Sequence, residues 1–136
     1  MKARFLRYDQ PYSGTELFNQ VNQAPPYKIM KILHTSDWHL GRIFHGVHLT
    51  GEQSYILDQF VRLAGDTKPD VILIAGDVYD RSVPPAEAVK LLDQVLSKIL
   101  IDYGIPIIMI AGNHDSPERL GFGNRLLARQ GLHLAG

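Results

Sequence analysis

Side chains of the kinds that bind metal ions follow each of three apolar runs in this sequence. Listed in chain order, they are Asp37 and His39 after KILHTS, Asp77 and Asp80 after VILIA, and Asn113, His114 and Asp115 after IIMIA. Carboxylate, imidazole and amide groups suit manganese, iron or zinc at mixed oxygen–nitrogen sites. The pattern therefore predicts a metal centre to which three separate stretches of the chain contribute.

Hydrolysis of a phosphodiester is the reaction that such a centre would serve. The phosphate charge must be neutralised and a hydroxide generated at neutral pH, and two cations about 3.5–4 Å apart can do both. We expect Asp77 to bridge the two cations, because a carboxylate has two oxygens, and Asp37 and His39 to hold one of them. Asn113 would hold the other through its amide oxygen. His114 would be the acid for the leaving oxygen, or a cation that stabilises the transition state.

Each stretch also has an interpretation without metal. Asp37 could cap a helix, His39 could be a surface residue, and Asp77 could belong to an ordinary turn after Gly76. The run from Gly112 to Asp115 is harder to explain in this way, since a tight turn needs neither the His nor the Asp. The three stretches in order, each after a buried strand, favour the metal site.

The elements that must position these residues alternate between strand and helix. A β-α-β-α-β-α-β order with short connections predicts an α/β fold, with a mostly parallel sheet and helices on both faces. In such sheets ligands bind beyond the carboxyl ends of the strands. The predicted strands are Lys31–Ser36, Val71–Ala75, residues 107–111 and Leu132–Ala135, and the predicted helices cover residues 50–66, the segment after Pro84-Pro85, and a broken turn from Pro117 that Gly121 and Gly123 interrupt.

The first helix carries two specific expectations. Thr50 and Gln53 have the spacing of a capping box, in which the two side chains satisfy backbone groups at the start of the helix. Its core-facing residues are expected to be Ile56, Phe60, Leu63 and Ala64, with Tyr55 and Leu57 off this stripe.

Composition limits the class of protein. The chain has 136 residues, 45% of them hydrophobic, and 14 basic against 14 acidic residues. Bulk charge therefore does not point to nucleic acid, and the absence of cysteine excludes disulfide scaffolds and thiolate sites. No run approaches the roughly 20 apolar residues of a membrane span. We expect residues 1–29 to be an unstructured extension, residues 30–136 to be the folded domain, and the protein to be cytoplasmic.

Three motifs resemble the signature blocks of the calcineurin-like metallophosphoesterase superfamily. They are Asp37-Trp38-His39, Gly76-Asp77-Val78-Tyr79-Asp80 and Gly112-Asn113-His114-Asp115. The longer runs HTSDWHLGRIFHGVHL and AGDVYDRSVPP resemble the SbcD-type nucleases of DNA double-strand-break repair within it. The resemblance runs from Met30 to Gly136 and implies the first half of the superfamily's α/β sandwich.

The resemblance also implies residue roles and partners. Asp37, His39, Asp77 and Asn113 would be ligands of two divalent ions, Mn²⁺ by expectation, and His114 would be catalytic. Asp80 would orient His114. DNA would be the substrate, a coiled-coil ATPase the partner, and the full-length protein a homodimer. The superfamily adds three further histidines from later blocks that are absent here, so we expect a truncated domain that is inactive by itself.

Two other functions stay open. The same scaffold also serves cyclic-nucleotide and protein phosphatases. The chain could also be a folded remnant without catalysis, at most a dimerisation or binding module. A downstream reading frame with the missing histidine blocks would distinguish this remnant from an enzyme.

Overall fold

A five-stranded sheet forms the centre of the molecule. The computed structural model describes residues 2–7 and 29–135. The strand order is β1 (Lys2–Arg7), β2 (Lys31–Ser36), β5 (Val71–Ala75), β6 (Ile107–Ile110) and β7 (Leu132–Ala135). The last four strands are mutually parallel, and β1 is antiparallel to β2. The mostly parallel α/β sheet that the sequence predicts is confirmed.

Helices and a hairpin connect these strands. Strand β2 leads into the hairpin β3 (Ile43–Phe44) and β4 (Val47–His48), and then into helix α1 (Thr50–Thr67). After β5 come α2 (Ala86–Ser97) and a π-helical turn (Lys98–Asp102). The link from β6 to β7 contains two short helices, α3 (Pro117–Leu120) and α4 (Asn124–Leu127), and a 3₁₀ turn (Ala128–Gln130). The broken helix predicted from Gly121 and Gly123 is therefore present.

One face of the sheet carries the core. Leu33, Ile72 and Ile107 lie side by side on adjacent strands and are all fully buried. They belong to one cluster with the apolar side chains of α1 and α2. On the other face of β6, Ile108 and Ile110 are about 39% and 41% exposed.

The crossover helices lie on one face of the sheet, rather than on both faces as the sequence led us to expect. From β2 to β7 each new strand is added on the same side of the previous one. Right-handed crossovers that never reverse direction place their helices on the same face. Helices on both faces require a strand order that reverses, which the described residues do not show.

The core-facing side of α1 also differs from expectation. Its buried residues are Leu57, Phe60, Val61 and Ala64. Leu57 is only 2% exposed although it was predicted to lie off the main stripe, whereas Ile56 is 46% exposed. The sequence offers two overlapping apolar stripes at helical spacing, and packing on the sheet selects one of them.

Part of the predicted N-terminal extension has regular structure. Lys2–Arg7 form β1 along the outer edge of β2, so the expectation of an unstructured segment does not hold there. An open strand edge offers unpaired backbone groups to any chain that can extend beside it. The rest of the extension, residues 1 and 8–28, lies outside the described residues, as does residue 136.

Candidate metal centre

Three loops meet at the carboxyl ends of β2, β5 and β6. The first two loops are joined by backbone hydrogen bonds: the N–H of Asp37 donates to the carbonyl of Gly76 at 3.2 Å, and the N–H of His39 donates to that of Asp77 at 2.9 Å. A third bond, from Leu40 to Val78 at 2.9 Å, continues the series. The pairing of the strands thus extends into the loops that carry the candidate ligands.

The backbone of these loops is unusual at the candidate ligands themselves. Asp37, His39 and Asp77 have φ values of +57°, +46° and +50°. Non-glycine residues in sparsely populated regions such as this cost on the order of 1–3 kcal/mol each and persist only where the surroundings enforce them. Such conformations concentrate at functional sites. Three of the predicted ligands share this conformation, which among the other described non-glycine residues occurs only at His45 and Lys68.

Three candidate ligand atoms converge on one space. The Nε2 atom of His39 lies 3.9 Å from Oδ1 of Asp37 and 3.9 Å from Oδ2 of Asp77. The two carboxylates come from different loops, and both face the same ring nitrogen. Two carboxylates and an imidazole form a donor set that fits a divalent cation.

The second nitrogen of His39 faces a third acidic residue, Asp80. Nδ1 is buried and has no hydrogen-bond partner among the described residues, and Oδ1 of Asp80 is 3.6 Å away. A metal-binding histidine almost always donates its other N–H to a carboxylate, carbonyl or water, which fixes the ring. A small approach of Asp80 would complete that arrangement, so the surroundings of His39 fit a metal ligand. Arg42 Nε lies 4.0 Å from the same oxygen, at the border of a cleft of about 340 Å³.

His114 lies next to His39, with ring centroids 5.0 Å apart and the rings nearly perpendicular. Its Nδ1 is 2.9 Å from the backbone carbonyl of Asp80. A carbonyl oxygen can only accept, so Nδ1 carries the proton and Nε2 is left for another partner. Asp80 therefore contacts His114 through its backbone, while its carboxylate faces His39. One ligand atom from each of His39, Asp80 and His114 lies within 4.8 Å of the other two, so these residues form a second group that could hold a metal ion. The role predicted for Asp80, to orient His114, stays a prediction, and its backbone carbonyl is the atom that contacts His114.

Sequence reasoning assigned no role to Asp115, which holds the second and third loops together. Its buried carboxylate accepts hydrogen bonds from the backbone N–H groups of Val78 at 3.1 Å, Tyr79 at 2.8 Å and Gly112 at 2.8 Å. The backbone N–H of His114 also donates to Oδ1 of Asp77 at 3.1 Å. An acidic residue that ends a loop motif is a signal for such backbone contacts.

Two glycines let these loops approach closely. A Cβ at Gly112 would lie 2.2 Å from the backbone nitrogen of Asp77 and 2.3 Å from its Oδ1. A Cβ at Gly76, whose φ is +82°, would lie 3.2 Å from the Cα of Gly112. The position of the Asp77 carboxylate therefore depends on the absence of a side chain at residue 112.

Asn113 is exposed between Gly112 and His114. Its loop is the one that contacts Asp77, so its place in the chain suits a ligand. The remaining described histidines, His34, His45, His48 and His133, lie outside the two groups of converging His and Asp residues.

Tyr79, which lies between Asp77 and Asp80 in the sequence, has a phenol with a raised pKa. Burial, followed by the negative charges of Asp115 and Asp93, raises the pKa of Tyr79 to about 12. The phenol therefore stays neutral at physiological pH and adds no charge beside the candidate ligands.

Two comparisons with known proteins cover most of the chain. The family model described as calcineurin-like phosphoesterase matches residues 30–134. The D subunit of the nuclease SbcCD from Staphylococcus saprophyticus is 48% identical over 105 residues. That match covers 77% of this chain and 28% of the relative's length. Among the described residues, no helix is both long and apolar enough to cross a membrane.

Proposed function

Because this chain belongs to the calcineurin-like phosphoesterase family, we propose that it carries part of the catalytic centre of an SbcD-type DNA repair nuclease, which hydrolyses DNA phosphodiesters. The observation that supports this most directly is the convergence of Asp37, His39 and Asp77 on one space at the ends of two adjacent parallel strands. The likeness to the nuclease subunit from Staphylococcus favours DNA as the substrate.

We propose Mn²⁺ as the metal at two sites, which together would supply charge neutralisation at the phosphate and a nucleophile from water. Asp37 and His39 would hold one ion, Asn113 the other, and Asp77 both. The Asp80 carboxylate lies behind His39 and would fix its ring. These residues combine hard oxygen donors with one imidazole, as Mn²⁺ accepts.

His114 would provide the proton for the leaving oxygen. Its Nδ1–H is held by the carbonyl of Asp80, which leaves Nε2 to face the substrate. Protonated at both nitrogens, the ring could deliver the Nε2 proton to the leaving alkoxide or stabilise negative charge on the phosphate. Its nearly perpendicular contact with His39 keeps it beside the proposed ligands.

We further propose the partners that the relative's complex suggests. The full-length protein would act in the cytoplasm with an SbcC-like coiled-coil ATPase and as a homodimer. Tyr55 and Ile56, on the solvent side of α1, are 66% and 46% exposed and offer apolar area for association. Leu57 does not contribute, because it lies in the core.

A chimera tests the catalytic proposal. Residues 30–134 of this chain would replace the matching region of the Staphylococcus relative, which supplies the rest of the domain. We expect Mn²⁺-dependent cleavage of linear duplex DNA that Asp77→Asn abolishes. Hydrolysis of cyclic nucleotides or phosphoproteins without DNA cleavage would favour the phosphatase alternative. A folded chimera without metal-dependent hydrolysis would favour the non-catalytic remnant.

A further inference from the structure

The side chain of Gln53 bonds to three backbone groups of the loop that follows β2. Its Oε1 accepts from the N–H of Gly41 at 3.1 Å. Its Nε2 donates to the carbonyl of His39 at 2.7 Å and to that of Trp38 at 3.2 Å. One half-buried amide on the first turn of α1 thus spans the residues around a candidate metal ligand.

These contacts replace the role that the sequence predicts for Gln53. Helix α1 begins after Leu49, and no side chain caps its first turn. A helix cap typically stabilises by about 1 kcal/mol. Both polar atoms of Gln53 are instead directed at the loop, so the residue serves the loop rather than its own helix.

The loop needs external support at His39 because φ there is +46°. Its N–H donates to the carbonyl of Asp77 at 2.9 Å, and its own carbonyl accepts from Gln53 and from the N–H of Arg42 at 3.2 Å. Both peptide groups of His39 are therefore anchored, one to the neighbouring loop and the other to α1. Relaxation to negative φ would break one set of these bonds and swing the imidazole.

We propose that Gln53 is a positioning residue for His39, holding the strained backbone that aims Nε2 at Asp37 and Asp77. The role of His39 as a metal ligand is that of the proposed function, on which this inference rests. A glutamine suits the task, since it offers one acceptor and one donor group at the end of a single side chain. A glutamate at position 53 would place a carboxylate oxygen, which can only accept, against the carbonyls of Trp38 and His39. A methionine would keep the side-chain volume but make no polar contact with the loop.

The experiment uses the 136-residue chain and Mn²⁺ as the probe. Affinity is measured from the electron paramagnetic resonance signal of free Mn²⁺ during titration into the millimolar range. We expect Gln53→Met to weaken binding about 10- to 100-fold, the usual effect of losing a residue that supports a ligand. Gln59→Met, at an exposed position on the same helix, should leave the affinity unchanged.

A further control separates positioning from general stability. Thr67→Val removes the hydrogen bond from Thr67 to the carbonyl of Leu63 at the far end of α1. It should lower the melting temperature without changing Mn²⁺ affinity. If Gln53→Met lowers the melting temperature in the same way but binds Mn²⁺ like the unsubstituted chain, Gln53 is merely structural and the proposal is wrong.

A metal-free readout keeps this inference distinct from the proposed function. In EDTA, the rings of His39 and His114 should show a nuclear Overhauser effect, since their centroids are 5.0 Å apart. Gln53→Met should abolish it, and its persistence would overturn the positioning role. An unsubstituted chain that shows the effect but binds no Mn²⁺ would contradict the proposed function alone. Should Gln53→Met not fold, Gln53→Glu keeps the acceptor for Gly41 but loses the donor to the carbonyl of His39. It should then bind Mn²⁺ more weakly and show a weaker Overhauser effect than the unsubstituted chain, and unchanged values of both would overturn the proposal.

Discussion

The carboxylate of Asp115 lies 2.8 Å from the backbone nitrogen of Tyr79, which belongs to the loop after a different strand. The same carboxylate also accepts from Val78 and from Gly112 in its own loop. One buried side chain thereby fixes the distance between the loop of Asp77 and the loop of Asn113. The candidate metal centre depends on this contact even though Asp115 is not one of the converging residues.

Asp115→Asn should therefore destabilise the protein. Hydrogen bonds to charged groups contribute about 1.5–3 kcal/mol each, and the amide replaces one acceptor oxygen with a donor facing backbone N–H groups. We expect the free energy of unfolding in urea to fall by about 3 kcal/mol. Asp66→Asn, at an exposed carboxylate on α1, is the matched control and should change it by less than about 0.5 kcal/mol. Equal effects in the two variants would contradict the role of Asp115.

Gly112→Ala should disrupt the site by steric conflict. Its Cβ would lie 2.2 Å from the nitrogen of Asp77, which is closer than nonbonded atoms approach, so the loop of Asp77 must move. We expect a lower melting temperature and loss of Mn²⁺ binding in a calorimetric titration. Gly51→Ala adds the same methyl group where no atom lies within 4 Å and should not reduce either quantity. Unchanged Mn²⁺ binding in Gly112→Ala would show that the position of Asp77 is irrelevant to the metal.

His114→Ala should lower turnover in the chimera with the Staphylococcus relative while leaving metal binding nearly intact. General acid catalysis is typically worth about 10²–10⁴-fold, and the Nδ1 atom of His114 is held by the backbone carbonyl of Asp80. Rates of DNA cleavage and calorimetric titration with Mn²⁺ are measured on the same preparation. A collapse of Mn²⁺ binding would make His114 a ligand.

The phenol of Tyr79 should ionise late in an alkaline titration followed at the tyrosinate absorption band. Its pKa in the folded protein is about 12, above the ordinary value of 10, because burial and Asp115 disfavour the anion. A folded-state pKa above the unfolded value gives a contribution to stability that is present below pH 10 and is lost as the pH rises towards 12. The difference between the unsubstituted chain and Tyr79→Phe isolates this group. A difference curve centred near pH 10 would contradict the burial of the phenol.

The 136-residue chain alone should show no Mn²⁺-dependent cleavage of linear duplex DNA. The chain offers only four predicted ligands for two ions, and both ions must share Asp77. The other three are Asp37, His39 and Asn113. Three further histidines of the superfamily are absent from the sequence. Losing even a supporting residue costs about 10–100-fold in activity, so the loss of three ligands should lower the rate of cleavage on the order of 10³–10⁶-fold. Cleavage that disappears in Asp77→Ala would show that four ligands suffice.

The strands could be predicted from sequence because their apolar runs are short and sharply bounded. Lys31–Ser36, Val71–Ala75 and Leu132–Ala135 form as predicted, and the strand predicted over residues 107–111 ends one residue earlier, at Ile110. Parallel pairing then brings the polar residues after them to one edge. The assignment of those residues as ligands stays a prediction that the metal titrations address.

The sequence pattern could not predict contacts between residues that lie far apart in the chain. Gln53 fits a capping box by spacing, but only the folded chain places the loop of His39 within reach of its amide. The prediction of which side of α1 faces the core was wrong for a related reason. Ile56 and Leu57 are equally apolar, and packing against the sheet decides which of them is buried. The backbone contacts of Asp115 likewise join residues more than thirty positions apart.

The strand order from β2 to β7 has a consequence for synthesis on the ribosome. Within the five-stranded sheet, β5, β6 and β7 each lie beside the sheet strand that was made just before. The sheet can therefore grow in a single direction as the chain emerges. Asp37 and Asp77 can come together once β5 has paired with β2, before the loop of Asn113 has been translated. The loops of Asp37 and Asp77 can thus fold while the chain is still being synthesised. The loop of Asn113 then packs against two loops that are already in place.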